Sequence, residues 1–456
     1  MPTDPHVLQQ PFAWPFRHGN DLTPDSVDYE TAHKLPSCDA FLGYFAKVLA
    51  LPGLSTDEAK QSCTWSDSEP VDFQYGKDAE WIQKPRTPEE IAARRLEWQN
   101  FIRHETIPYS KVKDSFKGRG IVVLTGNGDS FHRAKVILRS LARLKSRMPV
   151  EFHYHDDELD DALKEQLRKI YPNCFFNDLA GDHNILATKK GILGVNYHFK
   201  TAAMLNSRFA ELLLLDSDNI PVLDPATLYE SATYKEYGAV FWPDIARTRP
   251  ENPAWAITNS PCRMDEYEQE SGQVLLDKRR LWYHLQLATW INNNKGTYYN
   301  QFLLGDKDTF RFAWHALKTK FGKPKKWLTS VGTVNDGYYC GHTFAQHHPD
   351  NEKVAFLHGG TAKTVSLEIL KWNREERGGY FRQYKRSPYD EYPLNITKLL
   401  LKFDTADYKP DHAPDMRTAW CTDMPDVEAR NLDEILPGYE SIFEEIGGYW
   451  QLDGDD

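Results

Sequence analysis

Two carboxylates, Asp216 and Asp218, stand one residue apart directly after the apolar run 212–215. This run is too short for a membrane span and fits a strand buried on both faces, as in a parallel sheet. The end of such a strand is where open α/β sheets bind ligands. Carboxylate oxygens are hard ligands for Mg²⁺ or Mn²⁺, and enzymes commonly use these ions to hold phosphate groups. The pattern therefore predicts a metal–diphosphate site.

The same residues also satisfy the chemistry of a turn. In the stretch 216–221, Asp and Asn side chains can bond their own backbone, and Pro221 presets a bend. The acidic stretch taken alone leaves both interpretations open.

The elements that would position these acids alternate between strands and helices from about residue 118 onward. Strand-type runs at 120–124, 150–155, 174–176 and 211–215 are separated by helical stretches around 134–144, 156–171 and 198–209. This alternation predicts right-handed crossovers and an α/β fold with a mostly parallel central sheet flanked by helices. The turn after the first strand contains Thr125 and Gly126, and its glycines permit close backbone approach to a nucleotide, although the GxGxxG pattern is absent.

Three regions follow from this pattern. Residues 1–117 are predicted as an N-terminal extension, partly helical, whose clearest helix spans 88–104 and starts at Thr87-Pro88-Glu89-Glu90. Residues 118–365 are predicted as the α/β domain. Residues 366–456 are predicted as a C-terminal extension packed on it.

Composition excludes one class of partner and leaves the compartment open. A net charge of −11 and a pI near 5.8 argue against a nucleic-acid binder, which needs a basic face. No signal peptide and no membrane span are visible in the sequence. The six cysteines lack the spacing of a zinc site, so they could be six free thiols or up to three disulfides. They are Cys38, Cys63, Cys174, Cys262, Cys340 and Cys421.

Several blocks stand in order between residues 199 and 310: Phe199–Ala202, Leu215–Val222, Phe241–Asp244, Glu270–Lys278 and Gly305–Phe310. Together they resemble the fungal α-mannosyltransferases of the Golgi, and within these the α-1,2 enzymes that branch cell-wall mannan. The resemblance covers about residues 118–365. It implies a GT-A glycosyltransferase fold, a nucleotide-sugar donor such as GDP-mannose, Mn²⁺ or alternatively Mg²⁺, and transfer with retention to a hydroxyl group of a glycan or other acceptor.

The resemblance also implies a metal-ligand set. Asp218 is expected to bind the ion directly, Asp216 to face the ribose and the metal, and His358 to complete the coordination. A lone histidine is more often a structural residue, but Gly359, Gly360 and Lys363 directly behind it favour a ligand. The two glycines and Lys363 are expected to contact the donor phosphates.

Further donor contacts are expected from Thr125, Gly126, Lys200, Asp244 and Gln273. For Lys200, a solvated lysine at a helix end is an equally good interpretation. Asp306 and Glu270 are the expected catalytic acids. They would support an oxocarbenium-like state during front-face transfer, in which the leaving phosphate takes the acceptor proton. Asp306 could instead be a helix N-cap, and both roles are compatible.

Alternatives remain open for function and location. The chain could use a UDP-sugar with a non-mannan or small-molecule acceptor, make an activated sugar as a nucleotidyltransferase, or bind carbohydrate without catalysis. The family carries an N-terminal membrane anchor that this sequence does not show. We therefore expect the Golgi lumen if that anchor is missing from this chain, and otherwise a soluble, cytoplasmic protein.

Overall fold

Two six-stranded sheets organise the computed structural model, which describes residues 35, 37–63, 84–186, 188, 198–263, 266–359, 365–386, 421–424 and 427–454. The strands are β1 Arg119–Leu124, β2 Val150–Tyr154, β3 Cys174–Asp178, β4 Glu211–Leu215, β5 Asn219–Pro221, β6 Ala239–Pro243, β7 Gln269–Asp277, β8 Thr329–Asn335, β9 Tyr338–His347, β10 Val354–His358, β11 Gln383–Arg386 and β12 Arg430–Asn431.

The first sheet has the strand order β3-β2-β1-β4-β7-β6. Strands β3, β2, β1 and β4 are parallel, whereas β7 runs antiparallel to both of its neighbours, β4 and β6. Five strands therefore point one way, which confirms the predicted α/β fold with a mostly parallel sheet. The reversed strand β7 was not predicted, because the direction of a strand depends on its partners and not on its own sequence.

The four leucines that precede the acids belong to strand β4, the central strand beside β1 and β7. Its side chains alternate between the two faces, so Leu213 and Leu215 join one apolar cluster while Leu212 and Leu214 join the other. All four are fully buried, and each contributes on the order of 1.5–3 kcal/mol of burial free energy. The strand is thus fixed on both sides, and the position of the residues after it is fixed with it.

Helices cover both faces of this sheet. The helix predicted at 88–104 is confirmed at both ends, and the Oγ1 atom of Thr87 accepts the N–H of Glu90 at 3.2 Å. The α-helices of the described residues are Phe41–Leu49, Thr56–Lys60, Pro88–His104, Tyr109–Val112, Asp129–Arg143, Asp161–Ile170, His198–Asn206, Ala226–Glu230, Ala232–Tyr237, Ala254–Ile257, Lys278–Thr289, Gly296–Tyr299, Lys307–Ala316, Leu367–Glu376, Tyr439–Glu445 and Trp450–Asp453.

The second sheet has the order β12-β11-β8-β9-β10-β5 and is antiparallel throughout. Strands β8, β9 and β11 were not predicted from the sequence. The sheet draws strands from both sides of residue 365, so the last part of the chain is built into it. Strand β5 follows the acidic turn and leads the chain from the first sheet into the second.

Two disulfides tie distant segments together. Cys63 is bonded to Cys262, which fastens the N-terminal segment beside the helix Ala254–Ile257, and Cys340 is bonded to Cys421. The other two cysteines, Cys38 and Cys174, are buried free thiols. None of the helices in the described ranges is long and apolar enough to cross a lipid bilayer.

Candidate active site

The acidic stretch forms the turn between β4 and β5, at the end of the first sheet. The backbone N–H of Asp216 donates to the carbonyl of Gly272 at 2.9 Å, and that of Asn219 donates to the carbonyl of Asp216 at 3.0 Å. The first bond fastens the turn to β7, and the second closes the turn itself. The backbone of this stretch therefore forms the turn that the sequence allowed. The turn also places the carboxylates of Asp216 and Asp218 close together.

His358 meets these carboxylates because β10 pairs with β5, with His358 opposite Asn219. Its Nε2 atom lies 3.4 Å from Oδ1 of Asp218 and 3.8 Å from Oδ2 of Asp216. One ligand atom from each of the three residues lies within 4.8 Å of the others. The structure thus brings together the three residues predicted as metal ligands, and two carboxylates with one imidazole suit Mn²⁺ or Mg²⁺.

Glu270 holds the other side of the imidazole. Its Oε2 atom lies 3.2 Å from Nδ1 of His358, and its Oε1 atom accepts the N–H of Gly272 at 2.8 Å. Burial alone raises the pKa of Glu270, but the charge and hydrogen bond of His358 outweigh this and lower it to about 2. Burial likewise opposes a charged His358, and the carboxylates of Glu270 and Asp218 outweigh it and raise the pKa of the imidazole. The carboxylate–imidazole contact is the kind that orients a metal-binding histidine.

A glycine makes room for this ring. An ideal Cβ atom placed on Gly272 would lie 2.6 Å from Cε1 of His358, closer than any real side-chain contact. No local pattern in the sequence indicates this requirement, because the clash arises between strands that are far apart along the chain.

Lys200 lies between two of the acids and is not a solvated lysine at a helix end. Its Nζ atom donates to Oδ2 of Asp216 at 2.8 Å and lies 3.4 Å from Oδ2 of Asp306. Burial opposes the charged lysine, but these two carboxylates outweigh it and raise the pKa of Lys200. For Asp216, burial raises the pKa and Lys200 offsets part of the shift. Lys200 therefore links Asp216, which follows β4, to Asp306, which precedes the helix Lys307–Ala316.

Asp306 does not cap the helix Lys307–Ala316, although it stands at the N-cap position. The helix start shows no side-chain cap, and the backbone of Asp306 is helical. Its carboxylate instead accepts a hydrogen bond from the Oγ–H of Ser271 at 2.9 Å and lies beside Lys200. The expectation of an N-cap was wrong, because these two partners pull the carboxylate toward β7. Ser271 was missed as a site residue despite lying in the 270–273 block.

Asp244 lies in a buried group of charges behind the site. Its Oδ2 atom is 2.6 Å from Nζ of Lys307, and the same ammonium is 2.8 Å from Glu268. Burial raises the pKa of Asp244 to about 6, with Lys307 opposing the shift and the charge of Glu270 adding to it. The structure thus places Asp244 at the end of β6 with a lysine partner from the helix Lys307–Ala316.

Gln273 supports the acidic turn from behind. It is fully buried in β7, opposite Leu215, and its Oε1 atom accepts a hydrogen bond from Nδ2 of Asn219 at 2.5 Å. The same Asn219 amide donates to the carbonyl of Gly272 at 2.7 Å. Asn219 is therefore a third site residue that the sequence did not identify, after Gly272 and Ser271, and it joins the turn to β7 through its side chain.

The remaining predicted donor contacts lie around the same edge of the sheet. Thr125 and Gly126 follow β1, which is the neighbour of β4, and the N–H of Gly126 donates to Oγ of Ser130 at 2.9 Å. Gly359 has a φ of 81° and donates its N–H to the carbonyl of Asp218 at 3.1 Å. A side chain at 359 would be strained in this left-handed conformation. Gly360 and Lys363 lie outside the described residues.

A comparison with protein families identifies one whose match covers half of the chain and ends ten residues before His358. The model of the family described as "Mannosyltransferase putative" matches residues 118–266 and 262–348. The matched residues include β4, the acidic turn, β7 and Asp306.

Curated relatives and a solved structure share parts of the chain. It is 27% identical over 320 residues to the α-1,2-mannosyltransferase MNN21 of Candida albicans, covering 58% of this chain and 47% of that protein. With the α-1,2-mannosyltransferase MNN2 of Saccharomyces cerevisiae the identity is 28% over 365 residues, covering 68% and 59%. The chain thus spans about half the length of the curated relatives it matches. The mannosyltransferase Ktr4p of S. cerevisiae in complex with GDP is 14% identical, with coverage of 54% and 84% and a TM-score of 0.30.

Proposed function

Because the chain belongs to this mannosyltransferase family, we propose that it is a metal-dependent, retaining glycosyltransferase. In this proposal it moves mannose from GDP-mannose to a hydroxyl group of a glycan. The observation that carries the proposal is the convergence of Asp216, Asp218 and His358, whose ligand atoms lie within 4.8 Å of one another. Residues 140 positions apart meet here at the end of a parallel strand, which is where α/β sheets bind their ligands.

Mn²⁺, or Mg²⁺ in its place, would be held by Asp216, Asp218 and His358. Oxygen ligands from two carboxylates suit both ions, and the imidazole nitrogen favours Mn²⁺ of the two. When bound, the cation stabilises the negative charge that builds on the diphosphate as the bond to the sugar breaks.

We propose different roles for the two predicted catalytic acids, on the basis of their contacts. Glu270 uses one oxygen for His358 and the other for the N–H of Gly272, so it acts by orienting the imidazole. Asp306 has a carboxylate held by Ser271 and Lys200. We therefore assign to Asp306 the place beside the donor sugar, where its negative charge supports the oxocarbenium-like state.

Lys200 balances the charge between the two halves of the site. Its ammonium group contacts Asp216 on one side and Asp306 on the other. Such a bridge keeps two buried carboxylates at a fixed separation and lowers the cost of ionising both. In this proposal the donor is also contacted by Thr125, Gly126, Gly359, Gly360 and Lys363, as predicted from the sequence.

Retention is proposed to follow the front-face route. The bond between the anomeric carbon and the phosphate oxygen breaks, and the acceptor oxygen bonds to the same face of that carbon. The acceptor proton passes to the phosphate oxygen of the leaving nucleoside diphosphate, so no carboxylate forms a covalent bond to the sugar. A glycosyl adduct trapped on Asp306 or Glu270 would contradict this route.

The two disulfides support a location in an oxidising compartment. Structural disulfides form in secretory compartments and are rare in the cytosol. Cys63–Cys262 and Cys340–Cys421 both join segments that are distant along the chain. We propose that the protein works in the lumen of the secretory pathway, with the Golgi as the expected site.

A donor screen tests the proposed reaction. Purified protein with Mn²⁺ is offered a panel of GDP- and UDP-sugars together with mannosides, and release of nucleoside diphosphate is followed. We expect GDP-mannose to be turned over, EDTA to stop the reaction, and Mn²⁺ to restore it. Turnover of a UDP-sugar alone would contradict the assigned donor, and release of pyrophosphate would indicate a nucleotidyltransferase.

A pair of variants tests the site itself. Asp218→Asn keeps the size of the side chain but removes a metal-binding charge, so activity should fall at least about a hundredfold while the melting temperature stays close to that of the wild type. Asp114→Asn makes the same change at an exposed position and should leave activity unchanged. Normal, metal-dependent activity of Asp218→Asn would show that the metal site lies elsewhere.

A further inference from the structure

A cavity lies away from the acidic site, beside the turn of the β8–β9 hairpin. It has a volume of about 480 Å³. Its walls come from the β8–β9 turn, strand β11 and the segment 427–431. The residues that matter for its chemistry are Tyr339, Gln383, Lys385, Ala429 and Asn431. Pockets for small ligands have volumes of about 300–1,000 Å³, so this cavity has room for a ligand of the size of one or two sugar rings.

The cavity and His358 lie on the same face of one sheet. His358 is paired with Phe344, Phe344 with Ser330, and Ser330 with Lys385. Residues directly opposite each other in a sheet point to the same side. The side chain of Lys385 therefore lies in the same row as the imidazole, three strand spacings away, or about 14 Å.

Tyr339 and Gln383, which also line the cavity, lie on this same face of the sheet. Val334 pairs with Tyr339 at the turn end of the β8–β9 hairpin, and the hydroxyl groups of Tyr339 and Ser330 lie 2.9 Å apart. Gln383 is two residues from Lys385 along β11 and pairs with Gly332. The cavity is thus part of the sheet that carries His358, and its distance from the acidic site is fixed by strand pairing.

The far wall of the cavity is also fastened to this sheet. Thr422 exchanges backbone hydrogen bonds with Gly341, with distances of 2.8 and 2.9 Å, and the neighbouring Cys421 is bonded to Cys340. The segment 427–431 then ends in β12, where Asn431 pairs with Gln383. Both walls therefore hold their spacing without a ligand.

Both cations that line the cavity are paired with carboxylates of the chain, and the third charged lining residue is Glu428, an exposed carboxylate. The ammonium group of Lys385 lies 2.7 Å from Asp423 and donates to the carbonyl of Met424 at 3.1 Å. The guanidinium group of Arg430 is bonded to Glu434. A phosphate or another anion would have to compete with these carboxylates, so the cavity suits a neutral ligand.

Polar groups for a neutral ligand are present. Gln383 accepts the N–H of Val334 through Oε1, at 2.7 Å, and Asn431 accepts the N–H of Asp433 at 2.9 Å. Each amide also carries two N–H donors. Amide groups of this kind form the polar lining that hydrogen-bonds the hydroxyl groups of a neutral ligand such as a sugar.

We infer that this cavity is a subsite for a neutral oligosaccharide, and that it holds a sugar residue of the acceptor several units away from the one that reacts. The inference rests on the proposed function, since it assumes that the acceptor is a glycan. The subsite would give the acceptor a second contact with the protein, about 14 Å from His358 as estimated from three strand spacings. Two linked contacts raise the affinity for a longer acceptor because the second one forms within the same complex.

Binding of oligosaccharides without turnover tests this subsite. Isothermal titration calorimetry with the Asp218→Asn protein compares an α-linked mannohexaose with methyl α-mannoside. We expect the hexaose to bind at least about tenfold more tightly, which corresponds to about 1.4 kcal/mol. Equal affinity for the two ligands would overturn the inference.

Two variants locate the binding. Ala429→Trp fills the cavity without removing a hydrogen bond of the chain, and Gln383→Met removes the amide at nearly constant size. Both should abolish the preference for the hexaose and leave the affinity for GDP unchanged. Ala162→Trp and Gln166→Met make the same changes at exposed positions of the helix Asp161–Ile170 and should alter neither. A preference that survives in Ala429→Trp would place the oligosaccharide elsewhere.

Donor turnover is measured in parallel with the wild-type protein. If the wild type fails to release GDP from GDP-mannose but binds the hexaose through this cavity, the proposed function is wrong and the subsite is supported. If GDP-mannose is turned over and the hexaose gains no affinity over the monosaccharide, the subsite is wrong and the proposed function stands.

Discussion

Gly272 and His358 are in direct contact across the two sheets: a Cβ atom on Gly272 would lie 2.6 Å from Cε1 of the imidazole. The glycine belongs to β7 in the first sheet, whereas the histidine ends β10 in the second. The bare backbone of Gly272 lets the ring reach Asp218 on one side and Glu270 on the other. Gly272 thus shapes the site without being a ligand.

Replacing Gly272 by alanine should displace the imidazole. The new methyl group cannot fit, so the ring must move away from Asp218, and metal affinity and activity should each fall by roughly 10- to 100-fold. Titration of Mn²⁺ by electron paramagnetic resonance measures the affinity, and GDP release measures the activity. Gly296→Ala is the control, because its Cβ would meet nothing closer than 3.6 Å. Unchanged Mn²⁺ affinity in Gly272→Ala would mean that His358 is not a ligand.

Removing the hydroxyl group of Ser271 should affect catalysis more than stability. Ser271→Ala deletes the hydrogen bond to Asp306, so the carboxylate loses its orientation and kcat should fall about tenfold, with KM for the donor nearly unchanged. One hydrogen bond is worth about 1 kcal/mol, so the melting temperature should fall only slightly.

Ser55→Ala is the matched control for this variant. It removes the capping bond between Ser55 and Glu58 at an exposed helix start, which also costs about 1 kcal/mol. Equal loss of kcat in both variants would show that Ser271 acts through stability and not through Asp306.

Lys307→Met should destabilise the folded protein strongly. The substitution leaves Asp244 and Glu268 buried without the ammonium group that now lies 2.6 and 2.8 Å from them. Breaking a buried ion pair from one side costs roughly 3–5 kcal/mol of unfolding free energy. Urea unfolding at pH 7 measures the change, with Lys325→Met at an exposed position as the control. A loss below about 1 kcal/mol would mean that water reaches this group of charges.

Glu151 should make the fold sensitive to acid. Burial alone raises the pKa of Glu151, but His153 and the N–H of Arg208 outweigh it and lower the value from 4.5 to about 2. Between these two values the unfolded chain binds the proton that the folded chain does not. Stability is therefore complete above pH 4.5 and is lost as the pH falls toward 2, by about 3 kcal/mol for this group.

Unfolding of the wild type and of Glu151→Gln at several pH values measures this contribution. The variant should be less stable at pH 7, and the difference should shrink as the pH falls from 4.5 to 2. Glu165→Gln, at an exposed helix position, should follow the wild type at every pH. Parallel curves for Glu151→Gln and the wild type would contradict the assigned pKa shift.

Thiol labelling should find two free cysteines in the unreduced, unfolded protein. Mass spectrometry after alkylation should identify them as Cys38 and Cys174, and full reduction should raise the number to six. Cys63→Ser/Cys262→Ser should lower the unfolding free energy by about 2–5 kcal/mol, because that disulfide closes a long loop. Cys174→Ala serves as the control for replacing a cysteine. Labelling of Cys63 or Cys340 before reduction would contradict the observed pairing.

The sequence by itself determined the four neighbouring parallel strands of the first sheet and the position of the acids. Four leucines that are buried on both faces require a central strand, and the chain after such a strand reaches the ligand-binding edge of the sheet. Thr87 and Pro88 determined the start of the helix Pro88–His104, because a cap depends on neighbouring residues. These inferences succeeded because each rests on interactions within a few positions of the chain.

The tertiary structure decided which residues surround the acids. Ser271, Gly272 and Asn219 have no local pattern that marks them as site residues, since each acts through a partner in another strand or helix. The same holds for Asp306, whose carboxylate faces Lys200 and Ser271 instead of capping its own helix. Its position in the sequence is that of a cap, and only the distant partners show otherwise.

The second sheet was also decided by tertiary structure. Strands β8, β9 and β11 are held by antiparallel pairing between segments that are up to 57 residues apart, as for Thr329 and Arg386. Pairing of this kind is specified by which faces are buried together, and burial is a property of the folded chain and not of one segment. The residue types of the acids and His358 therefore set what they can do chemically, while strand pairing brings their ligand atoms to within 4.8 Å of one another.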